Sequence, residues 1–215
     1  VFSNRFAPND EGQLYSKKDA WKNYWIGIMH KASSYPYAVY VDIADFYNRI
    51  YHHTLENQMM ECGFENQIIK AIKKLLQNTT QTVSQGIPVG PHASHLFAEM
   101  YLIPLDEGLR LKGYEFYRYV DDIFVFAESK VQAKLIIYEM AKVLDSLKLT
   151  MQRQKTRIFN SEELKIYCDR MKDDDPINDL EDNIIKVINK YSTDDPYQII
   201  DYTDLSDLEK MVFSE

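Results

Sequence analysis

The chain has 215 residues, 45% of them apolar and 27% charged, which fits a globular protein of one or two domains and excludes the disordered and fibrous classes. No run reaches the ~18 consecutive apolar residues of a membrane helix, and the opening VFSNRFAPND lacks the basic and apolar regions of a signal peptide. The formal net charge of −8 hides an asymmetry: residues 161–215 hold 16 acidic and 6 basic side chains, the remainder 17 and 19.

Residues 1–36 are aromatic and mixed, and Trp21, Tyr24 and Trp25 fall in a stretch with helical character. PYAVYVDIADFY then reads as a strand, because Tyr37, Val39 and Val41 are strand formers and the run ends on Asp42. Helices follow over His53–Cys62 and Glu65–Gln77; the second gathers Ile68, Ile69, Ile72, Leu75 and Leu76 on one side. Gln85-Gly86-Ile87-Pro88-Val89-Gly90-Pro91 is punctuated by two prolines and two glycines and reads as a rigid loop. A long apolar helix is predicted from His92 to Leu111.

Tyr114–Tyr119 and Ile123–Phe126 read as two strands separated only by Val120-Asp121-Asp122, a tight hairpin with acids at its tip. Ser129 can cap a helix running to Leu147. Leu149–Phe159, carrying Lys155, is a further predicted strand. Asp173-Asp174-Asp175-Pro176 reads as a linker to helical pieces over Asn178–Lys190 and Asp204–Val212. The order of elements implies an α+β fold, an antiparallel sheet with helices on one face.

Acidic side chains are almost never buried unless paired or bound to a metal. Asp42 ends an apolar strand and Asp121-Asp122 lies between two more, so a hairpin beside the Asp42 strand brings all three to one sheet edge. Oxygen donors without neighbouring Cys or His suit Mg²⁺, and two such ions clamp the attacking and leaving oxygens of a phosphoryl transfer. The bland reading of the same residues is a turn at Asp121-Asp122 and a helix cap at Asp42.

The motif context favours the first reading. Tyr119-Val120-Asp121-Asp122 resembles the YxDD box of reverse transcriptases, and Asp42-Ile43-Ala44-Asp45-Phe46-Tyr47 resembles their first catalytic motif. Gln85-Gly86-Ile87-Pro88 with Ser94 is similar to the second, and Leu147-Lys148-Leu149 with Lys155-Thr156 to the fourth. The four stand in family order across residues 37–160. Arg118 before the box, Gly90-Pro91 and Ala98-Glu99 resemble the abortive-infection and other phage-defence reverse transcriptases of bacteria.

That resemblance implies roles for particular residues. Asp42, the backbone of Ile43, Asp121 and Asp122 match the metal-binding set, for two Mg²⁺ with Mn²⁺ as an alternative, Asp122 being the supporting acid. Ile43, Ala44, Asp45 and Phe46 form the turn that cradles the triphosphate. Tyr47 matches the aromatic that excludes a ribose 2′-hydroxyl. Gln85 and Gly86 match contacts to the incoming nucleotide and template, and Lys155 matches the acid that protonates the pyrophosphate leaving group. His92, His95 and Glu99 share a helix face at metal-like spacing, but their place behind the nucleotide loop makes packing the preferred reading.

The implied organisation is a partial fingers segment at 1–36, a palm at 37–160 and an acidic, mainly helical segment at 161–215, with no basic thumb in view. The expected partners are dNTPs and DNA or RNA, with a homo-oligomer as one way of pooling basic surface. No membrane partner is expected. Cys62 and Cys168 alone make neither a disulfide scaffold nor a Cys-rich zinc site, so a reducing cytoplasm is the expected location. The lack of an initiator Met suggests a fragment. The expected activity is deoxynucleotide addition, protein-primed and untemplated as in the defence enzymes, or RNA-templated as in retrons and group II introns. The contrasting class is a silent palm serving as an interaction module.

Overall fold

The structure, a computed structural model, describes residues 1–3, 20–80 and 83–171, together with the backbone of 5–6 and 15–16. The linker and helices expected beyond Lys172 lie outside the described residues. Strands β1 (Arg5–Phe6) and β2 (Tyr15–Ser16) pair antiparallel. Then come α1 (Ala20–Ala32), β3 (Tyr37–Asp42), α2 (Phe46–Arg49), α3 (His52–Glu61), α4 (Asn66–Thr79), α5 (His92–Tyr101) and α6 (Ile103–Leu111). The hairpin β4 (Phe116–Tyr119) and β5 (Asp122–Ala127), α7 (Lys130–Ser146), β6 (Arg157–Asn160) and α8 (Ser161–Met171) complete the order.

Four strands form one antiparallel sheet in the order β4-β5-β3-β6. β3 is central, with Tyr37–Asp42 opposite Ala127–Asp122 on one side and Tyr37–Tyr40 opposite Asn160–Arg157 on the other. Side chains alternate across a strand, and here both faces are apolar. Val39, Val41, Ile123, Val125 and Ala127 pack with α3 to α7 into the larger core. Ala38, Phe124, Phe126 and Phe159 form a second core with Tyr24, Trp25 and Ile28 of α1 and Leu164 and Cys168 of α8.

The α+β architecture is therefore as expected, but helices cover both faces of the sheet and not one, because α1 and α8 pack on the aromatic side chains of the second face. Trp21, Tyr24 and Trp25 do lie on a helix, as their spacing suggests. Trp25 meets Phe124 and Tyr167 at centroid distances of 5.7 Å each, and the Trp21 indole N–H donates to the Met171 carbonyl. Helix α8, from the segment grouped by sequence with the acidic end, thus packs against the sheet.

Three local expectations need correction. The helix predicted over 92–111 is interrupted at Leu102, because Pro104 has no N–H and its ring clashes with a carbonyl one turn back. The predicted strand 149–159 shrinks to Arg157–Asn160; Gln152 turns the chain instead, its carbonyl accepting the N–H groups of Lys155 and Thr156 and the Thr156 hydroxyl. Lys155 therefore stands on a turn and not on a strand. The hairpin turn is Val120-Asp121 alone, since Asp122 is already paired opposite Tyr119 in β5.

Candidate active site

β3 and β5 place Asp42 and Asp122 directly opposite each other at one end of the sheet, so both carboxylates project from the same face. Asp42 is buried, and its Oδ2 accepts from the Lys155 ammonium at 2.7 Å. Asp122 Oδ1 accepts from the Tyr40 hydroxyl at 2.5 Å, and its backbone carbonyl accepts from the Tyr24 hydroxyl at 3.0 Å. Burial, and then the charges of Asp122 and Asp42, push the Asp121 carboxyl up to about 6. Burial also raises Asp122, against the opposing pull of the Tyr40 hydrogen bond. The bond to Asp42 is the largest influence holding the Lys155 ammonium above its ordinary value.

The donor set fits a hard cation: oxygen ligands that raise one another's proton affinity are the ones a divalent ion relieves. Among the described residues no three His, Cys, Asp or Glu side chains form a ready-made metal group. Mg²⁺ does not require one, because it keeps waters and takes substrate phosphates beside one or two carboxylates. Ile43 bridges to Met151 in an antiparallel pair whose bonds run from Ala44 N–H to the Thr150 carbonyl and from Gln152 N–H to the Asp42 carbonyl. In such a pair the residue's own polar groups point the other way, so the Ile43 carbonyl faces the side on which β5 runs, as a ligand there must.

Beyond Asp42 the chain turns sharply. Asp45 is exposed with φ 53°, a left-handed conformation that Asp tolerates, and its carboxylate accepts from the Asn48 amide at 2.7 Å. Phe46 is buried in the core and Tyr47 is half-buried, its hydroxyl 2.9 Å from His95 Nδ1 on α5. The Gln85–Ile87 loop is fastened to this segment: Gly86 N–H donates to the Ile50 carbonyl, Ile87 N–H to the Tyr47 carbonyl, and the Gln85 amide to the Asn48 carbonyl. Gly86 has φ 91°, and a Cβ there would meet the Asn48 carbonyl oxygen at 3.4 Å, so only glycine suits the position.

The predicted residues thus form two connected groups. Asp42, Asp121, Asp122 and Lys155 share one end of the sheet; Tyr47, Gln85 and Gly86 share the adjoining loop junction. Asp45 stands apart on the exposed turn. His92, His95 and Glu99 do not act together, since His95 faces Tyr47 while Glu99 binds Ser3 and Arg118.

Sequence reasoning missed Tyr40, two positions before Asp42 on the same strand face, a spacing that could have shown it. It also missed His52, buried with Nε2 2.6 Å from the Gly86 carbonyl, which no local pattern marks. A cleft of about 400 Å³ opens beside the carboxylates, lined by Tyr40, Asp42, Asp122, Lys155, Arg157 and Tyr167 among others.

A family model described as reverse transcriptase (RNA-dependent DNA polymerase) matches residues 5–178. No curated protein matches the chain. Among solved structures, apo telomerase from Candida tropicalis is similar at 14% identity with a TM-score of 0.48; the match covers 67% of this chain and 32% of that one. The chain therefore spans about a third of that relative's length.

Proposed function

Because the chain belongs to the reverse transcriptase family, we propose that it adds deoxynucleotides to a growing strand by metal-assisted phosphoryl transfer. The observation that carries this reading is the apposition of Asp42 and Asp122 across β3 and β5 with Asp121 on the turn beside them. Asp42, the Ile43 carbonyl and Asp121 would hold two Mg²⁺ ions, with Mn²⁺ as a substitute. Bound there, the ions lower the pKa of the attacking hydroxyl and neutralise the triphosphate. Asp122 supports the site from Tyr40.

The remaining roles belong to the protein's own groups. The Ile43–Phe46 turn offers backbone to the triphosphate. Tyr47, steadied by His95, blocks a 2′-hydroxyl, and Gln85-Gly86 lines the nucleotide and template. Lys155 lies on Asp42 in the free protein and supplies the proton to departing pyrophosphate.

We assign the chain to the bacterial phage-defence group, acting in the cytoplasm with protein-primed, untemplated synthesis. Arg118 and Glu99, which carry that sub-family resemblance, make a 2.8 Å ion pair, so the two features belong to one device. Incubation with labelled dNTPs and Mg²⁺, with and without primed RNA template, tests this. Template-independent product that stays with the protein after denaturation supports protein priming. Product formed only on primed RNA returns the chain to the retron or group II intron mode, and no product with any template leaves a silent palm.

A further inference from the structure

Val120, the residue before Asp121, has φ 51°. A β-branched residue in the left-handed region is a genuine outlier, kept only where the surroundings over-determine it. Here both of its backbone polar groups are taken by side chains. Its N–H donates to Ser3 Oγ at 2.8 Å and its carbonyl accepts from Arg118 Nη1 at 3.0 Å. Ser3 Oγ in turn donates to Glu99 Oε1 at 2.5 Å, and Glu99 Oε2 pairs with the same Arg118 nitrogen at 2.8 Å. The bonds close a ring: Val120 N–H, Ser3, Glu99, Arg118, Val120 carbonyl.

The ring is anchored on all sides. Arg118 is only 2% exposed, and its Nε and Nη2 fork onto Asp106 at 2.9 and 2.7 Å. The interruption at Leu102 lets Glu99 of α5 and Asp106 of α6 reach one guanidinium. Ser3, equally buried, is held beside β4 by a bond from Phe2 N–H to the Arg118 carbonyl, with the Phe2 ring 4.9 Å from that of Tyr117.

We propose that Ser3, Glu99 and Arg118 are positioning residues that hold the Val120 turn in its left-handed conformation and thereby aim Asp121. None of them touches the reacting atoms. The inference rests on the reading of Asp121 as a metal-binding acid. An interaction of this kind acts on kcat and on the Mg²⁺ requirement, because a misplaced ligand costs rate even when substrate still binds.

The test compares Ser3→Ala, Ser3→Thr, Val120→Gly, the double variant Ser3→Ala/Val120→Gly and Asp121→Asn in single-nucleotide incorporation, titrating Mg²⁺ and dNTP separately. Thermal midpoints without Mg²⁺ verify the fold of each. The rise of the midpoint on adding Mg²⁺ reads metal binding apart from activity, and it should shrink in Ser3→Ala and return in Ser3→Thr. Ser3→Ala should lower kcat by roughly 10- to 100-fold and raise the Mg²⁺ concentration needed, with the dNTP KM little changed. Ser3→Thr keeps the hydroxyl and should recover. Val120→Gly should restore the double variant, since glycine adopts the left-handed turn unaided.

Full activity in folded Ser3→Ala, or no recovery in the double variant, overturns the proposal while Asp121→Asn stays inactive. An active Asp121→Asn overturns the site reading itself, and the proposal with it.

Discussion

Tyr40 and Asp122 are joined across neighbouring strands, the phenol of one donating to Oδ1 of the other at 2.5 Å. Two consecutive acids are thereby made unequal: Asp122 has one oxygen committed to the protein, while Asp121 stands on the turn with its proton affinity raised by burial and then by the charges of Asp122 and Asp42. The difference yields an order of severity. Asp42→Asn and Asp121→Asn should abolish incorporation with the fold intact, and Asp122→Asn should leave measurable residual activity. Equal loss at Asp121 and Asp122 in a primer-extension assay would refute the division.

The pH dependence follows from Asp121. Its carboxyl in the folded protein is raised to about 6 from about 4 in the unfolded chain, so folding favours the protonated form. Without metal, stability is therefore lower above pH 6 and increases as the pH falls from 6 towards 4. Asp121→Asn should stabilise the metal-free protein at pH 7.5, by on the order of 1–3 kcal/mol, and should lose that advantage near pH 4. Thermal melts at the two pH values measure this. Incorporation at low Mg²⁺ should rise through pH 6, and the midpoint should move down as Mg²⁺ is raised.

The proposed sugar discrimination rests on Tyr47. Its hydroxyl is 2.9 Å from His95 Nδ1, which fixes the ring in place. Tyr47→Ala should admit ribonucleotides, and Tyr47→Phe should keep most of the discrimination because the ring remains. Steady-state ratios for dNTP against NTP decide it; an unchanged ratio in Tyr47→Ala would make the residue one of packing.

Lys155 gives a kinetic prediction. The side chain is 59% exposed but is the cation paired with buried Asp42, so its removal should destabilise the metal-free protein, a loss that Mg²⁺ offsets. Lys155→Ala should nonetheless slow incorporation by roughly 10²–10⁴-fold, the usual worth of a positioned acid. Rapid-quench measurement of the chemical step against pH would show the loss of a basic-limb titration that Lys155→Arg shifts upward. A variant as fast as the parent would end the assignment.

Much of this arrangement is legible in the sequence where chemistry is local. The strand Tyr37–Asp42, the hairpin after Tyr119 (though not the length of its turn) and the Ser129 cap, whose hydroxyl accepts from Gln132 N–H, follow from short-range rules. What escaped is set by distance along the chain. Nothing near Tyr40 in sequence marks Asp122 as its partner, 82 residues away, and nothing near Ser3 marks Glu99 and Val120. The second apolar face of the sheet was visible only as the unbroken hydrophobic run Ile123–Ala127 of β5, a pattern equally consistent with a single deep core. The Leu102 interruption was foreshadowed by Pro104 and overridden by the strong apolar run around it.

The place of β3 in the sheet also governs how the protein is made. Among the described residues Tyr37–Asp42 has no strand partner from its own part of the chain: it waits for Asp122–Ala127 on one edge and Arg157–Asn160 on the other. At ordinary synthesis rates of ~5–20 residues per second, Asp42 leaves the ribosome on the order of ten seconds before its sheet can close. Through that interval an apolar strand with two open edges stands exposed to self-association. Yield of soluble protein should therefore depend on chaperone supply and on slow translation downstream of Asp42 more than on the thermodynamic stability of the finished palm.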